Sequence, residues 1–288
     1  METKYISTIK NEIRRRSLLW LPFIFLIILV LSFEIIPGIY VLINSFITNS
    51  GIGLSNYIKV FTSKFYLMSL TNGLTVSICS SLVGLIIGTC AAICLKSLKK
   101  DIAERLVSIV NMTSNFSGVP LAFAFIVLLG ANGLITIFFK SKLGINLYSS
   151  GFDLYSWMGI ILVYIYFQIP LAIMLMYPAV YAINDDIIEA ASTLGASKFT
   201  IWTKIEIPTL LPSLAGSLCI LLANSLGAYA TAYALVGSNK NLVAITIANL
   251  VSNDIASDPS LASALSMVLG GILMIFVFVK IKLIKNID

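Results

Sequence analysis

The chain has 288 residues, of which 58% are hydrophobic and 11% are charged, whereas about 25% of residues are charged in an average soluble domain. It contains no histidine, which excludes histidine general bases, metal ligands and proton relays. The formal net charge of +6 is spread over the ends of apolar segments instead of forming one basic patch, so we expect no nucleic-acid partner.

Six apolar segments are long enough to cross a bilayer, which requires about 20 mostly apolar residues per helix. They are residues 18–46, 70–95, 105–130, 155–182, 207–235 and 260–284. The third is the least regular, because polar residues between Asn111 and Ser117 occupy its first half. We predict an all-α membrane protein with six transmembrane helices, in which residues 1–17 form a cytoplasmic N-terminal segment and residues 18–288 form a single membrane domain.

The distribution of basic residues predicts the orientation of the spans. With the N-terminus inside, fourteen of the 19 Lys and Arg residues fall in inner segments and five in outer segments. We therefore expect a multi-pass protein of a bacterial plasma membrane with both termini in the cytoplasm, in contact with anionic lipids. The apolar run after Arg14–Arg16 is too long for a signal peptide and lacks a cleavage site, so we predict a retained anchor.

The polar stretch between the fourth and fifth spans, EAASTLGASKFTIWTKIEIP at residues 189–208, is the most informative part of the sequence. A small, apolar helical face is predicted from the spacing of Ile187, Ala190, Ala191 and Leu194. The acidic residues that suit the positive end of such a helix are Asp185, Asp186 and Glu189. We expect Gly195 to break this helix, a second short helix to begin near Ser197, and Pro208 to open the next span.

This stretch resembles the signature of binding-protein-dependent ABC importer permeases, the MetI-like family. In that signature, E-A-A is followed by three residues, G, nine residues and I-x-L-P. The matching positions are Glu189, Ala190, Ala191, Gly195, Ile205 and Pro208. The one departure is Ile207 in place of the usual leucine, which conserves volume.

The resemblance implies that the stretch is a cytoplasmic coupling-helix loop that docks on a separate ATPase. Glu189 is also consistent with a helix-capping carboxylate, and the two roles can coexist. The implied partners are an ABC ATPase dimer, a second permease subunit that we expect to be a paralogue, and an extracytoplasmic substrate-binding protein. No GxxxxGK[ST] phosphate loop occurs in the sequence, so we expect ATP on a partner subunit and no cofactor, metal or catalytic site on this chain.

Polar residues inside spans are the candidates for a translocation pathway. Those selected are Asn115, Gln168, Asn224, Ser225 and Tyr229, the last three on roughly one face of the fifth span. The same residues would also suit interhelical hydrogen bonds, and the sequence leaves both interpretations open. Glu34 is the one formal charge well inside a span, and its role stays open between pairing, interfacial placement and transport.

The stretch SGVPLAFAFIVLLG at residues 117–130 resembles permeases of the polyamine, ferric iron and phosphonate group. We expect the cargo to be a polyamine or another small solute. The alternative is a secondary transporter driven by an ion gradient, which commonly has inverted repeats and ion-binding groups at mid-membrane. A membrane enzyme ranks last, because the sequence offers no metal cluster and no nucleophile–base pair.

Overall fold

A computed structural model describes residues 22–48, 51–252 and 257–285 of the chain. The helices in this part are α1 Pro22–Ser45, α2 Ser55–Thr62, α3 Lys64–Lys96, α4 Lys100–Ser114, α5 Gly118–Leu129, α6 Leu134–Lys142, α7 Trp157–Tyr181, α8 Asp185–Thr193, α9 Lys198–Leu226, α10 Tyr229–Val236, α11 Val243–Ser252 and α12 Pro259–Lys285. One short antiparallel hairpin pairs β1 (Ile47–Thr48) with β2 (Gly51–Ile52). The predicted N-terminal segment 1–17 lies outside the described residues.

Within the described residues, six stretches are long and apolar enough to cross a membrane, as the sequence predicted. They are α1, α3, the stretch that contains α5 and α6, α7, α9 and α12. The architecture is therefore all-helical apart from the hairpin in the part that the structure describes, and α8 lies between the fourth and fifth spans.

The third span differs from the predicted segment 105–130 in its extent. Its apolar stretch runs over Gly118–Lys142 and is interrupted between α5 and α6. Residues 105–114 belong instead to α4, which packs against α7. Helix α4 does not continue into α5, because Ser117 is extended (φ −142°, ψ −175°) and Gly118 has a φ of +73°. A positive φ of this size is a conformation that only glycine adopts without strain.

Helices α3 and α7 make the most extensive helix contact in the described fold. Two glycines allow it: a Cβ at Gly84 would lie 2.7 Å from the Cβ of Gln168, and a Cβ at Gly88 would collide with that of Ala172. Small residues let helix backbones approach closely in a membrane, where packing replaces the hydrophobic driving force. Helix α9 packs on both α3 and α7, so these three helices form the centre of the bundle.

Helix α1 lies at the edge of the bundle and packs against α12. The Asn44 amide ties the two helices by donating to the carbonyl of Pro259 at 3.2 Å and to the Ser263 hydroxyl at 3.0 Å. None of the residues in the most apolar 18-residue stretch of α1 is buried. Glu34 lies exposed in a π-helical turn near the middle of α1 and makes no ion pair with any described residue.

Candidate functional site

A short exposed helix, α8, is held between the fourth and fifth spans by residues on either side of it. We call residues 182–206 the α8 loop. Asn184 caps α8, because its side-chain oxygen accepts a hydrogen bond from the backbone N–H of Asp186 at 2.9 Å. Asp185 and Asp186 occupy the first turn, where the helix dipole favours negative charge. The local sequence is therefore sufficient to start a helix at this point.

Gly195 ends α8 in the way that the sequence predicted. Its φ is +82°, its N–H donates to the carbonyl of Ser192 at 3.0 Å, and the N–H of Ala196 donates to the carbonyl of Ala191 at 3.0 Å. These two bonds form a Schellman motif, which satisfies the last carbonyls of a helix and reverses the chain. Ser197 then caps the next helix by accepting from the N–H of Thr200 at 3.2 Å.

We expected the second helix of the α8 loop to end before the fifth span. It continues into the span instead, and the two form the single helix α9. Pro208 therefore lies inside α9, and the predicted fifth span 207–235 is corrected to Lys198–Leu226. A π-helical turn over Trp202–Glu206 makes this possible. There the N–H of Ile207 donates to the carbonyl of Trp202. The wider turn leaves room for Pro208, which has no backbone N–H to donate to the preceding turn. Such π-helical turns commonly occur within longer helices.

The α8 loop exposes large apolar side chains. Leu194 is 88% exposed, Phe199 is 72% exposed and Ile187 is 53% exposed. Beside them is a cleft of about 640 Å³, lined by Ile188, Ser192, Lys198, Phe199, Ile201, Trp202 and Glu206. Within the described residues, the carboxylates of Asp186 and Glu189 make no ion pair. The loop thus combines an apolar surface with free negative charge, a composition suited to binding another protein.

Five of the six predicted signature residues lie in the α8 loop, and Pro208 follows the loop within α9. Glu189, Ala190 and Ala191 are in α8, Gly195 forms the turn, and Ile205 and Pro208 lie in the first turns of α9. The side chains of Glu189 and Ala190 are exposed and that of Ala191 is partly buried. Trp202, Phe199 and Leu194 complete the exposed surface. Phe199 and Trp202 were not among the predicted site residues, although their exposure makes them part of this surface.

The predicted pathway residues divide into two groups. Asn224 and Tyr229 line a cavity of about 230 Å³ whose other lining residues are Ser117, Gly118, Phe167, Gly227, Ala228, Ala230 and Thr231. The cavity forms because α9 ends at Leu226 and the chain restarts as α10 at Tyr229. Asn224 and Tyr229 thus come from different helices, and the predicted single face with Ser225 is corrected. Gly227 was the signal for this break.

Gln168 and Ser225 lie inside the helix bundle. Gln168 has no exposed surface and donates to the hydroxyl of Ser81 at 2.9 Å and to the carbonyl of Leu221 at 2.8 Å. Ser225 donates to the hydroxyl of Ser77 at 3.0 Å. These bonds join α3, α7 and α9, which is the interhelical interpretation that the sequence left open.

Asn115 lies apart from both groups. Its amide is exposed and donates to the carbonyl of Asn111 at 2.9 Å, within its own helix end. The structure therefore brings Asn224 and Tyr229 together at one cavity, but it does not bring Asn115 to that cavity.

A Gln168→Leu substitution is expected to lower the free energy of unfolding of the detergent-purified chain by about 1–3 kcal/mol. The buried Ser81 hydroxyl and Leu221 carbonyl would each lose a hydrogen-bond donor. Chemical denaturation followed by circular dichroism would measure the loss. Asn115→Leu is the matched control, because it removes an exposed amide. Equal stability of the two variants would contradict a structural role for Gln168.

The sequence matches known proteins over most of its length. Residues 84–283 match the family described as binding-protein-dependent transport system inner membrane component. The chain is 22% identical over 264 residues to the spermidine/putrescine transport system permease protein PotB of Haemophilus influenzae, a match that covers 88% of this chain and 90% of that protein. It is 25% identical over 215 residues to a second Haemophilus influenzae protein, whose assigned name is ferric transport system permease protein FbpB 1. This second match covers 74% of the chain but only 33% of that longer protein.

The fold is also that of a solved permease. The chain superimposes on a chain from a bacterial ABC transporter involved in the import of the acidic polysaccharide alginate, with a TM-score of 0.71 and 21% sequence identity. The superposition covers 98% of this chain and 99% of that chain. Together with the family match, this confirms the predicted resemblance and the predicted fold class.

Proposed function

Because the chain belongs to the family of binding-protein-dependent transport system inner membrane components, it is a permease subunit of an ABC importer, and we propose that its α8 loop is the docking site of a separate ATPase. The observation that carries the proposal is the exposure of Leu194 and Phe199 on a loop with a fully capped, well-formed helix. Burial of each such side chain against a partner contributes about 1.5–3 kcal/mol.

The energy source is proposed to lie on other chains. The sequence has no phosphate loop, so ATP would bind to an ATPase dimer, and this chain would serve as a non-catalytic component that needs no cofactor of its own. We propose that the complex also contains a second permease, expected to be a paralogue, and an extracytoplasmic binding protein that delivers the cargo. The excess of basic residues in predicted inner segments supports cytoplasmic termini and a cytoplasmic α8 loop.

The connections of α8 explain how docking would act on the membrane helices. At its start, α8 follows α7 after a link of three residues, 182–184. At its end, the Gly195 turn leads directly into α9. Helices α7 and α9 pack on each other and on α3. Closure of an ATPase that moves α8 would therefore move two spans together and switch the access of the pathway from one side of the membrane to the other, which is alternating access.

The cavity at the break between α9 and α10 is proposed to face the pathway. Its lining contains hydroxyl, amide and aromatic groups, and no residue in its lining is charged. Such a lining would let a small polar solute pass without trapping it by a strong fixed charge. A polyamine is one candidate cargo, supported by the likeness to PotB; a ferric species is another, supported by the likeness to FbpB 1. We expect the binding protein to select between such solutes.

Docking is tested with a Leu194→Glu substitution in the α8 loop. We expect the variant to lose ATPase during affinity purification through a tag on this chain, because a charge would have to enter an apolar contact. Ile52→Glu is the control, since Ile52 is 90% exposed and lies in the β-hairpin, far from α8 in the chain. ATPase retention by both variants, measured by quantitative immunoblotting, would contradict docking at this loop.

The energy source has its own test. Uptake of radiolabelled spermidine, ferric ion and small phosphonates into proteoliposomes that contain the purified complex is expected to require ATP. Uptake that persisted without ATP and followed an imposed ion gradient would favour a secondary transporter instead.

A further inference from the structure

Lys96, the last residue of α3, reaches the segment that joins α7 to α8. Its ammonium lies 2.7 Å from a carboxylate oxygen of Asp185 and donates a hydrogen bond to the carbonyl of Ile183 at 3.0 Å. The Lys96 side chain is only 18% exposed, whereas that of Asp185 is 73% exposed. One mostly buried lysine therefore contacts the residue before Asn184 and the residue after it.

We call residues 182–184, which connect α7 to α8, the joint. Asn184 is the point at which the joint could bend. Helix α7 ends at Tyr181 and α8 begins at Asp185, and Asn184 between them has an extended backbone with φ −70° and ψ 120°. Hinges are commonly a few residues at the ends of helices that absorb a change in φ and ψ. Ile183 is already fixed, because its side chain is buried among residues of α3, α7 and α9. Ile188 of α8 also packs against that core, and the contact of Asp185 with Lys96 adds a second tie at the start of α8.

The charges around the joint favour this contact over others. Lys96 lies at the C-terminal end of α3 and Asp185 lies in the first turn of α8, so each charge is stabilised by its own helix dipole. Among described residues, Asp186 of α8 and Lys100 of α4 are exposed and make no ion pair. An ion pair with one exposed partner adds little to overall stability. The pair nevertheless lies at the first residue of α8, where a contact bears most on the direction of that helix.

We propose that Lys96 is a positioning residue that locks the joint between α7 and α8. With the joint locked, a displacement of α8 turns α3 and α7 as one body; without it, the same displacement bends the chain at Asn184 and is lost. The inference rests on the proposed docking of an ATPase at α8. It adds α3 to the helices that respond directly to α8, although α3 is not next to the α8 loop in the chain.

The test measures the distance between the segment that directly follows α3 and helix α8 in the whole transporter. Nitroxide labels are attached at Leu98→Cys and Thr193→Cys, two exposed positions, in a background whose native cysteines are replaced by alanine. Pulsed electron paramagnetic resonance gives the distribution of distances without nucleotide and after trapping with ATP and vanadate. The labelled transporter with Lys96 and Asp185 intact is expected to give a narrow distribution of label distances, both without nucleotide and after trapping.

Lys96→Met and Asp185→Asn are each expected to broaden the distribution, since both remove the ion pair. Lys96→Arg keeps the charge and is expected to keep the distribution narrow, as is Lys100→Met, which removes an exposed lysine nearby. The exposed Asp185 carboxylate is not part of the packed core, so broadening in Asp185→Asn is not a sign of misfolding.

Narrow distributions in both Lys96→Met and Asp185→Asn would overturn the inference. If the labelled protein with Lys96 and Asp185 intact retained no ATPase during purification, the proposed docking itself would fail. The two failures are therefore distinguishable in one set of samples.

Discussion

A Gly195→Val substitution is expected to reduce ATP-driven uptake at least about fivefold, the lower end of ordinary coupling between sites, while the subunits still assemble. Gly195 has a φ of +82°. A residue with a Cβ costs about 1–2 kcal/mol in the left-handed region, and a β-branched residue is a genuine outlier there. The strain is relieved if the turn changes its conformation, which would redirect α8 relative to α9. Uptake and ATP hydrolysis by the reconstituted complex are the measurements.

Gly144→Val provides a control of matched backbone strain. Gly144 has a φ of +66°, and a Cβ at Gly144 or at Gly195 would have no atom within 4 Å apart from its chain neighbours. The difference lies in position, because Gly144 follows α6 and is remote from the α8 loop in the chain. We expect its uptake to stay close to that of the unmodified transporter. Equal loss in the two variants would show a general effect of strain, and normal uptake in Gly195→Val would reject the coupling role of the turn.

The α8 loop could be predicted because its structure depends on neighbours in the sequence. A helix cap needs Asn184 and Ser197 at the right positions, and a Schellman motif needs a glycine at the residue after the cap. These interactions span only a few residues, so they are visible in sequence patterns. The contact proposed to fix the direction of α8 involves Lys96, which is 89 residues earlier than Asp185 in the chain. No local pattern connects those two residues.

The path of α9 shows why other features could not be predicted. Two prolines, Pro208 and Pro212, lie within it, and proline normally ends or kinks a helix. The π-helical turn before Pro208 and packing against α3 and α7 retain the helix. At the other end, Asn224 and Ser225 are adjacent, yet one is exposed at a cavity and the other is buried against α3. Neighbouring helices decide which polar residue lines the cavity and which one joins the bundle.

Gly88→Leu is expected to cause the largest loss of stability among the substitutions considered. A Cβ at this position would collide with the Cβ of Ala172 and lie 3.1 Å from the Ala172 carbonyl carbon and from the Ile173 nitrogen. Backbone atoms cannot rotate away, so α3 and α7 would have to separate. Overpacking of a well-packed core usually costs about 1–3 kcal/mol, and sometimes more. We expect a lower midpoint of thermal unfolding for the purified chain and little complex recovered from membranes.

Gly271→Leu makes the same chemical change in a span, at a position where a Cβ would have no atom within 4 Å. The purified Gly271→Leu chain is expected to keep the thermal midpoint of the unmodified chain, because the space beside Gly271 is open. Comparison of the two variants separates a packing collision from a general effect of leucine in a transmembrane helix. If Gly88→Leu unfolded at the same temperature as Gly271→Leu, α3 and α7 could not be packed as closely as described. The rigid α3–α7 pair, on which the proposed transmission from α8 depends, would then have no physical basis.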